Sequence, residues 1–88
     1  MTHVVTLKKP ARKALAALAV EYRDATTRAI EALAETPRPD GCAKLRGEYE
    51  GCYRIEVRNQ IRVIYEINDG ALTVLVVTIG NRGDVYKK

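Results

Sequence analysis

Four side chains in the last part of this chain could take hold of a phosphodiester: Arg54, Arg62, Arg82 and the nearly terminal Tyr86. A guanidinium keeps its charge at any pH that matters and presents a planar fork that meets two phosphate oxygens at once. Arginines gathered on one surface therefore make a grip for a polyanion, and RNA is the reading that fits them here. The bulk charge adds little to this. Fifteen Lys and Arg against 11 Asp and Glu leave a net charge of +4, which favours an anionic partner without naming one. Placement has to carry the case.

The positions of these residues follow from the strands that hold them. Tyr53, Ile55 and Val57 alternate with Arg54, Glu56 and Arg58, and Ile61, Val63, Tyr65 and Ile67 alternate with Arg62, Ile64, Glu66 and Asn68. Pairing Val57 with Ile61, Ile55 with Val63 and Tyr53 with Tyr65 keeps the apolar sides together. Arg58, Asn59 and Gln60 are then left as a three-residue loop. The same register sets Glu56 opposite Arg62, so Arg54, Glu56 and Arg62 share the open face across strands roughly 5 Å apart. Those residues also read as a plain solvated face carrying one cross-strand ion pair. Leu72 to Ile79 is apolar on both sides, as a central strand would be, and Asn68, Asp69 and Gly70 supply the turn before it.

Upstream, His3 to Leu7 is a short β-prone run ended by Lys8, Lys9 and Pro10. With Pro10 in a first helical turn, apolar residues then recur at helical spacing from Ala11 to Leu33, a helix of about 24 residues and about 36 Å if unbroken, too long for a domain roughly 30 Å across. A break between Val20 and Asp24, giving a helical hairpin, is the expectation. Pro37, Pro39, Asp40 and Gly41 form a loop that leads into Lys44, Leu45, Arg46 and Gly47. With 88 residues the chain holds one core, and residues 1–88 are expected to form one domain.

Several classes of function drop out. No stretch approaches the roughly 20 apolar residues that cross a bilayer, and the first residues lack a leader pattern, so a cytoplasmic protein is expected. Cys42 and Cys52 then read as reduced thiols, small and wholly or partly buried. His3 is the sole imidazole and two cysteines ten apart lack zinc spacing, so neither metal nor cofactor is expected. His3 itself reads as a surface residue.

The order and spacing of KLRG at Lys44 to Gly47, the hairpin YRIEVRNQIRVIYEI from Tyr53 and IGNRGDVY from Ile79 resemble a RelE-type toxin of the RelE/ParE toxin-antitoxin superfamily. The resemblance runs over nearly the whole chain. It implies an α+β, RelE-like fold: an N-terminal strand and helical hairpin packed on a small, mostly antiparallel β-sheet. It also implies a type II toxin that cuts messenger RNA in the ribosomal A site and inhibits translation. The partners it implies are the ribosome with its message, a cognate antitoxin whose C-terminal segment wraps the toxin, and operator DNA reached only through the antitoxin complex.

The reaction would be attack of a ribose 2′-OH on the adjacent phosphorus with loss of the 5′-oxygen, leaving a 2′,3′-cyclic phosphate. It needs a base, charge at the phosphoryl oxygens and an acid for the leaving group. By resemblance Arg54 and Arg62 hold the phosphate, Arg82 stabilises or protonates the leaving oxygen, and Tyr86 acts as base or stacks on a nucleobase. Free tyrosine ionises near pH 10 and arginine is a very poor acid, so positioning must supply much of the rate.

Lys44, Arg46, Glu56, Arg58 and Lys87 join the RNA-binding set, with solvated loops as the plainer reading of Lys44 and Arg46. Glu56 departs from the family, whose well-known members carry a lysine there. It reads as a base, as an ion-pair partner of Arg62, or as a sign of weakened activity. Two other functions remain open: a ParE-type inhibitor of DNA gyrase, and a catalytically weak member that mainly binds its antitoxin.

Overall fold

The elements follow the hydrophobic period of the sequence closely. The computed structural model describes residues 2–81: β1 (Val4–Leu7), α1 (Lys9–Ala17), α2 (Val20–Ala32), β2 (Ala43–Lys44), a 3₁₀ turn (Gly47–Tyr49), β3 (Tyr53–Val57), β4 (Ile61–Asn68) and β5 (Thr73–Asn81). The strands form one sheet in the order β1-β5-β4-β3-β2, antiparallel except where β1 runs parallel to β5. This is the expected α+β arrangement, with one strand more than the sequence indicated. β2 is only two residues long and pairs Ala43 with Arg54 and Lys44 with Tyr53. A strand that short has no period to read.

The β3–β4 hairpin has the expected register, Val57 to Ile61, Ile55 to Val63 and Tyr53 to Tyr65. Its loop closes with the Gln60 N–H donating to the Val57 carbonyl at 3.1 Å. Arg58 and Asn59 both take left-handed backbone there, at φ 53° and 56°. Asn tolerates that region, whereas Arg pays a steric cost of about 1 kcal/mol for it.

β5 owes its two apolar faces to a bulge. Ile64 pairs with Thr78 but Tyr65 pairs with Val76, so Val77 is an extra residue that shifts the strand's phase by one. Val74 and Val76 before it, and Ile79 after it, consequently all join the buried cluster with Ile55, Val63 and Tyr65. That cluster packs against Ala11, Ile30 and Leu33 from the helical side.

The helices bend apart two residues before the expected break. Leu18 and Ala19 take extended conformations, at φ −70°, ψ 151° and φ −58°, ψ 149°, and α2 begins at Val20. Any L-residue reaches that region without strain, so the corner needs neither Gly nor Pro and leaves no mark in composition. The need for a corner is plain from size, because an unbroken helix of about 36 Å would exceed the molecule's 33 × 28 × 25 Å extents.

His3 corrects the sequence reading: it is buried, only 8% exposed, not a surface residue. Its backbone N–H donates to the Ala34 carbonyl at 2.7 Å, and its Nε2 lies 3.3 Å from Asp69 Oδ1 in the β4–β5 turn. Arg38 reaches the other oxygen of Asp69 at 3.0 Å and donates through Nε to the Tyr53 hydroxyl at 3.1 Å. Its guanidinium stands 5.2 Å from the centre of the Tyr53 ring, which in turn stacks on Tyr65 at 6.1 Å. Burial pushes the Tyr65 phenol well above its ordinary range, and its O–H donates to the Pro37 carbonyl at 2.7 Å. Together these contacts fasten the loop after α2 to the far end of the sheet.

Candidate phosphate-binding face

Antiparallel partners point to the same side of a sheet, so the register fixes what stands on the face turned away from the helices. One row carries Glu56, Arg62 and Gly80, and the next carries Arg54, Ile64 and Thr78. The structure therefore brings together Arg54, Glu56 and Arg62. Arg62 NH2 lies 3.0 Å from Glu56 Oε2, with the Arg62 side chain 16% and the Glu56 side chain 29% exposed. Gly80 gives Arg62 no neighbouring side chain on the β5 flank.

This face is drier than a solvated sheet surface. Ile64, which stands on it beside Arg54, is wholly buried at 0%. The Arg54 Nε is shut off from water and has no hydrogen-bond partner among the described residues. A guanidinium donor left in that state costs free energy of order 1–3 kcal/mol, which an anion seated on the face would offset.

A cleft of about 580 Å³ opens at the start of β3, lined by Lys44, Leu45, Arg46, Glu50 and Gly51. The Leu45 N–H donates to the Cys52 carbonyl at 2.8 Å, so Leu45 pairs with Cys52 and shares the side of Arg54. Lys44, paired with Tyr53, points by the same rule to the opposite, helical side, so the structure gathers Lys44 and Arg46 at this cleft but does not bring Lys44 onto the face of Arg54 and Arg62. Leu45, Glu50 and Gly51 were not legible as site residues, because a wall of a cleft has no composition of its own. Arg58 is exposed at the hairpin tip and is held by no contact to the other cations that the structure shows. Arg82, Tyr86 and Lys87 lie outside the described residues.

The thiols take no visible part in this. Cys42 is half-buried and Cys52 buried, both free, and burial together with nearby Glu66 pushes the Cys52 thiol up, which keeps it protonated. Among the described residues no group of three or more His, Cys, Asp or Glu side chains is placed to hold a metal. No described helix is long and apolar enough to cross a membrane.

On the helical side a second groove, about 230 Å³, runs between α2 and β3 over Ala29, Leu33 and Ile55, with Asp40 and Glu56 at its rim. Because β2 pairs only with Tyr53 and Arg54, no described strand pairs with the rest of β3, which forms a sheet edge beside this groove.

Comparison with known proteins places these features in a family. The family model described as the ParE toxin of type II toxin-antitoxin system, parDE, matches residues 5–86. Among solved structures, the isolated E. coli RelE toxin is 28% identical with a TM-score of 0.76, covering 96% of this chain and 90% of its own. The archaeal RelE in the RelE-RelB complex from Pyrococcus horikoshii OT3 is 27% identical with a TM-score of 0.80, covering 96% and 99%. The RelBE2 toxin-antitoxin complex from Mycobacterium tuberculosis gives 24% identity and a TM-score of 0.81, covering 93% and 100%. No curated protein matches the sequence. A model spanning nearly the whole chain, with RelE folds superposing over more than nine-tenths of it, settles the family: the chain belongs to the ParE toxins of type II toxin-antitoxin systems, within the RelE/ParE superfamily.

Proposed function

We propose that this toxin is a ribosome-dependent endoribonuclease, acting in the cytoplasm through the face that carries Arg54 and Arg62. The observation behind this reading is the buried, unpartnered Arg54 Nε in the row next to Arg62. Two guanidinium groups on neighbouring strands, roughly 5 Å apart, suit one phosphodiester gripped from two sides, and the partly dry surface strengthens their hold on the charge that builds up during attack. The 2′-oxygen would bond to phosphorus as the 5′-oxygen leaves with a proton, giving a 2′,3′-cyclic phosphate and a 5′-OH. Arg82 as the group at the leaving oxygen and Tyr86 as base or stacking platform rest on the family resemblance. Lys44 and Arg46, in the cleft at the start of β3, suit contact with RNA backbone that wraps past the sheet edge, with Arg58 and Lys87 as outlying cations.

The partner reading is a cognate antitoxin. RelE chains of similar fold are found in complexes with RelB, and the apolar α2–β3 groove beside a strand edge suits an extended or amphipathic segment.

The family model supports a second reading, a ParE-type inhibitor of DNA gyrase. The two separate by experiment. Expressed without antitoxin, the toxin is expected to arrest growth and leave codon-associated cuts in a translated message by primer extension. Arg62→Ala, Arg82→Ala and Tyr86→Phe should each lose the cuts and the arrest, by 100-fold or more in cleavage on the order expected for removing one stabiliser of transition-state charge. In the Arg82→Ala and Tyr86→Phe variants antitoxin affinity should stay near wild type. Intact message together with inhibited supercoiling would instead establish the gyrase activity.

A further inference from the structure

Glu56 occupies an unusual place. Its carboxylate faces Arg62 across the strand pair at 3.0 Å, on a surface whose other charged groups in the same two rows are Arg54 and Arg62. Arg62 is largely withdrawn from water, its side chain 16% exposed, while Glu56 stays open to it on the strand edge. A carboxylate is close in shape to the two oxygens that a phosphate offers a guanidinium fork, so Glu56 already fills part of the site that a phosphate would use. It also halves the excess charge of the set, since two cations and one anion leave +1 where a neutral residue at position 56 would leave +2.

Resting on the reading of this face as an RNA surface, we propose that Glu56 is a built-in competitor for phosphate: it holds the Arg62 guanidinium in its binding orientation and sets how weakly the free toxin grips a polyanion. An arriving phosphate must share or displace this carboxylate. Free RNA, held by few contacts, is then retained poorly, whereas a message positioned on the ribosome brings the phosphate in with its entropy cost already met. Glu56 acts through Arg62 and is a positioning residue.

The test is the affinity of short fluorescein-labelled oligouridine, read by anisotropy over a range of KCl concentrations, for the full-length toxin and its variants. Glu56→Gln keeps the shape of the side chain and removes its charge. It should bind about 3- to 10-fold tighter than wild type at low salt. The dependence of log K on log salt should steepen by about 0.7, the value for one more neutralised phosphate of a single strand. Glu56→Asp keeps the charge and should retain the wild-type slope, which a purely structural role for Glu56 would not predict. The gain should vanish when Glu56→Gln is combined with Arg62→Gln, because it is transmitted through Arg62. Unchanged affinity and slope in Glu56→Gln, or a gain that survives loss of Arg62, overturns the proposal while leaving the RNA face intact. If Arg54→Gln and Arg62→Gln both bind as wild type, the RNA face itself is wrong, and the role of Glu56 falls with it.

Discussion

A single carboxylate, Asp69, ties three distant segments of the chain together. It receives Arg38 on one oxygen and stands against His3 on the other, so a residue in the β4–β5 turn anchors both the loop after α2 and the strand entry at His3. The hydrogen bond from Arg38, aided by that from His3, holds the Asp69 carboxyl below its ordinary 3.8. The sign follows from linkage. A lowered folded-state value means that the carboxylate stabilises the fold above about pH 4 and that this contribution disappears as pH falls through the folded value. Asp69→Asn should therefore melt below wild type at neutral pH, and the gap should close as the pH is taken below 3.8. Thermal melts of both proteins across that range would show it; a gap independent of pH would mean that the charge is irrelevant. Nothing in the sequence near His3 hints at this role, since its partner is distant along the chain and a lone polar residue carries no period. The Arg54, Glu56 and Arg62 cluster was legible for the opposite reason. Those residues sit inside two alternating strands whose apolar sides admit one register.

At the scale of elements, what could be read was whatever repeats. The hairpin pairing followed from period two and the helical hairpin from period 3.6 combined with length. The exact corner did not, because Leu18 and Ala19 merely adopt a conformation open to every residue. Ala19 offers a direct check. Its φ of −58° suits proline, the preceding Leu18 has the extended backbone that proline requires of its neighbour, and Ala19 donates no backbone hydrogen bond among the described residues. Ala19→Pro should stabilise the fold by about 0.5–1 kcal/mol, roughly 2–8 °C in Tm for a chain of this size. Were Ala19 inside a continuous helix, the same change would cost about 3 kcal/mol or more. Chemical denaturation distinguishes the two outcomes without ambiguity of sign. The Val77 bulge was similarly invisible: an apolar run looks the same whether it is buried on both faces or shifts phase halfway along.

For the whole molecule, marginal size makes stability and partnership inseparable. A chain of 88 residues buries a modest share of its surface, and both the α2–β3 groove and the edge of β3 beside it, where no described strand pairs, leave apolar and backbone groups to be covered. Binding to the native state alone stabilises by mass action, about 2.7 kcal/mol when the free ligand is at 100 times its Kd. A peptide from the C-terminal segment of the antitoxin should accordingly raise Tm in a concentration-dependent way. Its effect should survive Arg54→Ala, since Arg54 stands on the opposite face and does not line the groove. A peptide that leaves Tm unchanged at saturating concentration would place the antitoxin elsewhere.

The parallel pairing of β1 with β5 has its own bearing on how the protein is made. Val4 to Leu7 can find Thr73 to Val76 only after every element between them has been made, and the central β4–β5 pair waits on the same event. Synthesis thus delivers β1 long before that strand has anywhere to dock, and the sheet closes all at once when β5 emerges.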